Sequence, residues 1–152
     1  MINPFDDTYF MKKALQEAEA AYEKGEIPVG AVVVINDKII ARSHNLTELL
    51  NDVTAHAEMI AITAASNAVG SKYLGECTLY VSIEPCVMCA GALAWSRISK
   101  VVYGASEPKF GYSLTDEQII SSKTEIVQGV LQEEAASLMT EFFKSKRQSK
   151  RS

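Results

Sequence analysis

Seven consecutive residues, Val29-Gly30-Ala31-Val32-Val33-Val34-Ile35, carry no charge and no hydrogen-bonding side chain, and five of them are β-branched. A β-strand turns alternate residues to opposite faces, so such a run can be buried only if the sheet is covered on both sides. Asn36-Asp37 then offers a tight turn into Lys38-Ile39-Ile40-Ala41-Arg42, which makes the first two strands an antiparallel hairpin. Further strands read at Thr78–Ile83 and Val101–Gly104, with a weaker one at Thr124–Gln128. Helical apolar spacing fills the gaps. Phe10, Met11, Ala14, Leu15, Ala18 and Tyr22 form one face of a helix capped by Asp7 or Thr8 and ended by Gly25. Thr54 is the expected cap of a second helix reaching about Ala68. Pro85 suits the opening of a short third helix, and Leu131 to about Lys146 forms a last amphipathic one. The expected architecture is α/β: a three-layer α/β/α sandwich with a mixed five-stranded sheet.

With 152 residues there is room for one core, so the expected division is a single domain over 1–146 and a basic tail over 147–152. No apolar run approaches the roughly 20 residues that span a bilayer, and the first residues lack a basic and an apolar export region, so the expected location is cytoplasmic. The net charge of −4 conceals an asymmetry. Residues 144–152 hold five of the fifteen Lys and Arg and no acid, leaving −9 on the body. Charge therefore speaks against nucleic-acid binding by the body as a whole and points to the tail.

Three cysteines cannot all pair, and two stand as Cys86-x-x-Cys89. After a strand and at the opening of a helix, that spacing suits either a metal or a thioredoxin-like redox pair, while Cys77 reads as packing. Of the two histidines, His56 lies in Thr54-Ala55-His56-Ala57-Glu58, thirty residues before Cys86. One imidazole and two thiolates are three ligands for zinc, and three protein ligands with an open fourth position mark a catalytic site. Cys86 and Cys89 fall on one face of a first helical turn, where free N–H groups stabilise thiolates. His56 and Glu58 are two apart and can share that site only at a helix entrance, so two helix starts are expected to face each other. Two thiolates cancel the charge of zinc, which weakens its acidifying effect on water and calls for a separate base. Glu58 is the free carboxylate for that task. His-x-Glu, a strand and then Pro-Cys-x-x-Cys is the pattern of zinc deaminases of nucleobases, and it displaces the redox reading.

These motifs, with Gly25–Val34, Asn45, Thr78–Val81, Glu84–Ala92, Ser96–Ile98, Val101–Ala105 and Phe142-Phe143, resemble the cytidine deaminase-like superfamily and, within it, bacterial tRNA-specific adenosine deaminases. The resemblance implies a cytidine deaminase-like fold, one zinc per chain at His56, Cys86 and Cys89, and Glu58 as proton shuttle. It also implies Asn45 and Val29 at the base, a tRNA anticodon stem-loop as partner, inosine as product, and a homodimer. The segment Glu107–Leu114 departs from the family pattern: Glu107 stands for a usual Asp and becomes a candidate substrate-binding residue, and Phe110 or Tyr112 becomes a candidate base-stacking ring. His44 is expected at a rim rather than as a ligand. Two rival readings remain at this point, a deaminase of free guanine, cytosine or a nucleoside, and a non-catalytic zinc-stapled interaction module.

Overall fold

The computed structural model describes residues 3–151, the last of them by its backbone only. Its elements follow the order α1 (Asp7–Glu23), β1 (Gly30–Ile35), β2 (Lys38–His44), α2 (Ala57–Val69), β3 (Thr78–Ile83), α3 (Val87–Ser96), β4 (Lys100–Ala105), a 3₁₀ turn (Tyr112–Leu114), β5 (Glu125–Gln128) and α4 (Gln132–Arg151). One sheet runs β2-β1-β3-β4-β5. The β1 strand pairs antiparallel with both β2 and β3, whereas β3, β4 and β5 are parallel, so the sheet is mixed as expected. Asn36 and Asp37 both take positive φ, 50° and 62°, the two-residue turn that matches strand twist.

The apolar run of β1 is divided between two cores. Ala31 and Val33 pack with Leu79, Val81, Val101 and Tyr103 beneath Ala57, Ala61 and Ala65 of α2 and Leu93 of α3. Val32 and Val34 face the other way, onto Phe10, Met11 and Ala14 of α1. The α4 helix shares that second side through Ala135 and through Phe142, whose ring meets Tyr22 edge-on at 5.7 Å. Three layers result. At Gly30 the contact is closest: a Cβ there would strike the backbone of Ala14 and Ala18, so α1 lies directly on the strand only because that residue has no side chain.

Several helix limits differ from the expected ones. Asp6, not Asp7 or Thr8, caps α1, accepting from Tyr9 N at 2.8 Å. Asp7 is occupied elsewhere, by the Tyr80 hydroxyl at 2.7 Å and by Lys100. Thr54 does not cap α2, because its amide and hydroxyl both donate to Asp52 in a local turn, and His56 takes the N-cap position. At the other end of the chain α4 continues to Arg151, past the expected limit near Lys146. No Gly or Pro interrupts 144–151, and Lys, Arg and Gln are good helix formers, so nothing ends the helix at 146. Met1, Ile2 and Ser152, assigned above to the domain and the tail, lie outside the described residues. Among those described, no helix is long and apolar enough to cross a membrane.

Candidate active site

Register brings one end of the sheet together. Ile83 ends β3 beside Ala105 of β4, and Gly30 opens β1 opposite His44 of β2. The chain therefore leaves β2 and β3, and enters β1, at the same edge, where the carboxyl ends of parallel strands commonly hold ligands. His56 is the N-cap of α2 and Cys86 the N-cap of α3, so two positive helix ends converge there, as the His-x-Glu and Cys-x-x-Cys spacings require. The Ser43 hydroxyl donates to the Ala57 carbonyl at 2.6 Å, which ties the start of α2 to β2.

His56 Nδ1 stands 3.6 Å from Cys86 Sγ and 3.5 Å from Cys89 Sγ, and the three ligand atoms all lie within 4.8 Å of one another. A tetrahedral zinc bonded at about 2.0–2.1 Å to nitrogen and 2.3 Å to sulfur separates N from S by about 3.6 Å. The donor set can therefore hold a metal ion with the side chains where they are. Cys89 is buried while His56 and Cys86 are half-buried, so the group is open on one side. The Cys86 thiol is held down to about 4, first by its hydrogen bond with Cys89 and, against the opposing effect of burial, by His56. Cys89 is pushed up by the same bond and by burial, and His56 is raised chiefly by its bond to Cys86. A thiolate beside an imidazole at two helix ends is metal-ligand chemistry.

Glu58 sits in the first turn of α2, 4% exposed, and burial pushes its carboxyl up to about 7. The charge of Cys86 adds to that rise, while His56 and a hydrogen bond to Cys89 oppose it. Asn45, buried at the end of β2, donates from its backbone to Val29 O at 3.0 Å, which places both residues at the same edge of the sheet. Glu107 lies beyond β4, where its Oε1 accepts the amides of Lys109 at 2.8 Å and Phe110 at 3.3 Å. A cavity of about 310 Å³ opens against Cys86, Val87 and Met88 on one side and Lys109, Phe110, Gly111, Leu114 and Thr115 on the other. Phe110 is exposed, whereas Tyr112 packs edge-on against Tyr103, so of the two candidate stacking rings Phe110 is the one left open to a base. His44 is no ligand: Nδ1 faces Glu17 at 2.9 Å and Nε2 faces Lys24 at 3.0 Å, joining β2 to α1.

Two buried carboxylates that the sequence reading did not single out shape this edge. Glu26 accepts the amides of Glu48 and Leu49, and Glu84 accepts from the segment that follows β4. Their shared sequence signal is an acid close before a proline, in Glu26-Ile27-Pro28 and Glu84-Pro85.

A mixed sheet of this order, with a His/Cys/Cys group at two helix starts, defines a cytidine deaminase-like α/β fold. Residues 5–147 match the profile of the MafB19-like deaminases. A tRNA-specific adenosine deaminase of Bacillus subtilis (strain 168) is 48% identical over 150 residues, covering 95% of this chain and 93% of the relative. Among solved structures, one from studies of A-to-I editing by tRNA:A34 deaminases at the wobble position of transfer RNA superposes with a TM-score of 0.81, at 41% identity over 86% of this chain and 99% of that one. A guanine deaminase from Bacillus subtilis superposes less well, with a TM-score of 0.65 and 39% identity over 74% of this chain and 73% of the other. The chain belongs to the MafB19-like deaminase family, in the branch that contains the tRNA-specific adenosine deaminases.

Proposed function

We propose that this chain hydrolyses the 6-amino group of adenosine at the wobble position of a tRNA anticodon, releasing ammonia and leaving inosine. The observation that carries the reading is the buried Glu58 carboxyl beside the converging His56, Cys86 and Cys89, in a chain so close to tRNA-specific adenosine deaminases. His56 Nδ1 and the two sulfurs would hold zinc. Bound there, the ion would supply Lewis acidity to a water, weakened by the two thiolates and therefore completed by a base. Glu58 takes one proton from the water that attacks C6 and passes it to the ring nitrogen, then takes the second from the hydroxyl formed at C6 and passes it to the amine, which leaves as ammonia. A non-catalytic zinc staple has no use for such a carboxyl. The test sets tRNA transcripts, free nucleosides and free bases side by side: inosine should form in tRNA. Conversion of guanine or cytosine without inosine in tRNA overturns the reading in favour of a free-base deaminase.

In this reading Asn45 reads the purine edge, since its amide both donates and accepts, and Val29 lines the base pocket. Asn45→Ala should lower kcat/KM by about tenfold or more, the loss of a hydrogen bond to substrate, with zinc content unchanged. Glu107 keeps Oε2 for a substrate donor while Oε1 holds its loop. The working unit is a cytoplasmic homodimer, a state favoured by the exposed Leu49, Leu50 and Val53, and light scattering should return twice the chain mass.

Residues 1–146 make up the deaminase domain, and 147–152 a basic extension that helps hold RNA against the repulsion of an acidic body. Lys144, Lys146, Arg147 and Lys150 lie on one continuous helix, and at about 100° per residue Lys144 and Lys146 point to nearly opposite sides, so only some of them meet a single strand. With two or three phosphate contacts at ~0.7 each, truncation after Phe143 should flatten the slope of log K against log salt by about 1.5–2 and weaken tRNA binding. An unchanged slope would remove the tail from the RNA interface.

A further inference from the structure

Glu84 ends β3 between Ile83 and Pro85 and is 4% exposed, yet it is given no part in the chemistry above. Its Oε1 accepts from Glu107 N at 3.1 Å, and its Oε2 accepts from Ser113 N at 3.0 Å and Ser113 Oγ at 2.6 Å. One carboxylate thus fastens both ends of the segment 107–113. Gly111 closes the arrangement, since a Cβ there would lie 2.6 Å from Cδ and from both oxygens of Glu84. The φ of Gly111 is −60°, open to any residue, so it is the carboxylate and not the backbone that demands glycine. Backbone pairing joins the same parts, with an antiparallel bridge between Cys86 and Gly111 and a bond from Tyr112 N to Pro85 O at 3.0 Å. Lys109 and Phe110, both exposed, lie between the two fastened ends and face Cys86, Val87 and Met88 across the 310 Å³ cavity.

We infer that Glu84, with Gly111, is a positioning residue for the RNA substrate: it holds the 107–113 segment so that Lys109 and Phe110 form a preformed wall beside Cys86. The wall presents a cation to a phosphate and an exposed ring to a base, the two contacts that single-stranded RNA takes most readily. A segment ordered before binding spares the substrate the entropy of ordering it, so the clamp acts on affinity rather than on the chemical step. This inference rests on RNA being the substrate.

Glu84→Gln keeps the size but sets an NH₂ group against one of the donors. Gly111→Ala displaces the carboxylate without changing charge. In the zinc-loaded protein the amides of Glu107 and Ser113 should exchange hydrogen about tenfold faster in either variant, while those of β3 and β4 are unchanged. On an anticodon stem-loop KM should rise about tenfold with kcat within about threefold of the parent, at the same zinc content. If these two variants do not fold, Ser113→Ala removes only the hydroxyl bond and should raise KM about threefold. Faster exchange with unchanged KM, or a lower kcat at constant KM, overturns the inference and leaves the functional reading intact. A parent protein that does not convert the stem-loop brings down that reading, and this inference with it.

Discussion

Cys86→Ser/Cys89→Ser protein should leave purification with essentially no zinc, against about one ion per chain in the parent, and should show no deamination. The serine hydroxyls are close in size to the thiols they replace but do not ionise near neutral pH, so the donor set drops from three strong ligands to one imidazole. Binding to the folded state stabilises it in proportion to the logarithm of ligand concentration over Kd, about 4 kcal/mol at a thousandfold excess. A chelator should therefore lower the Tm of the parent and leave that of the double variant where it is. The surrounding structure limits the damage. Cys86 is an N-cap rather than a helix-interior residue, and serine is a good N-cap. Cys89 is buried against α2, so a serine hydroxyl there meets the Glu58 carboxyl instead of a metal. Stoichiometric zinc in the double variant would show that other groups bind it.

What could be read from the sequence follows from whether a residue's partners are near it in the chain. Cys86 and Cys89 are three apart after a Pro, and their shared place at the opening of α3 is a matter of helix geometry. The division of Val29–Ile35 between two cores needs only strand alternation. Thr54 was the wrong cap because Asp52, two residues earlier, captures both its amide and its hydroxyl. The start of α2 is set by a partner on another strand, Ser43, which no local pattern announces. Asp7 is the same case, since Tyr80 and Lys100 are more than seventy residues away. The clamps made by Glu26 and Glu84 were the least visible. Their partners are backbone amides, which every residue carries, and for Glu84 also the hydroxyl of Ser113, 29 residues away, so neither residue type nor spacing points to them.

The second large effect belongs to Glu58. Glu58→Ala should fold, keep about one zinc per chain, and lose about 10²–10⁴-fold in kcat, roughly 3–5 kcal/mol of barrier, the contribution of a positioned general acid/base. The position explains why no other group substitutes. Among the described residues close to the His56/Cys86/Cys89 group, Glu58 is the buried carboxyl in contact with it, and the next buried acid at this edge, Glu84, is engaged by three donors. Its titration gives an independent reading of the same environment. In protein stripped of metal, burial raises the folded-state pKa to about 7 from an ordinary 4.5, so between those values the folded chain holds a proton that the unfolded chain has lost. That contribution to stability is full below about pH 4.5 and is lost as pH rises through about 7. Glu58→Gln cannot titrate, so it lacks this contribution. The stability advantage of the metal-free Gln variant over the metal-free parent should therefore grow as pH rises from about 4.5 to about 7. A pH-independent difference would mean that Glu58 is solvated, and near-normal turnover in Glu58→Ala would mean that another group moves the proton.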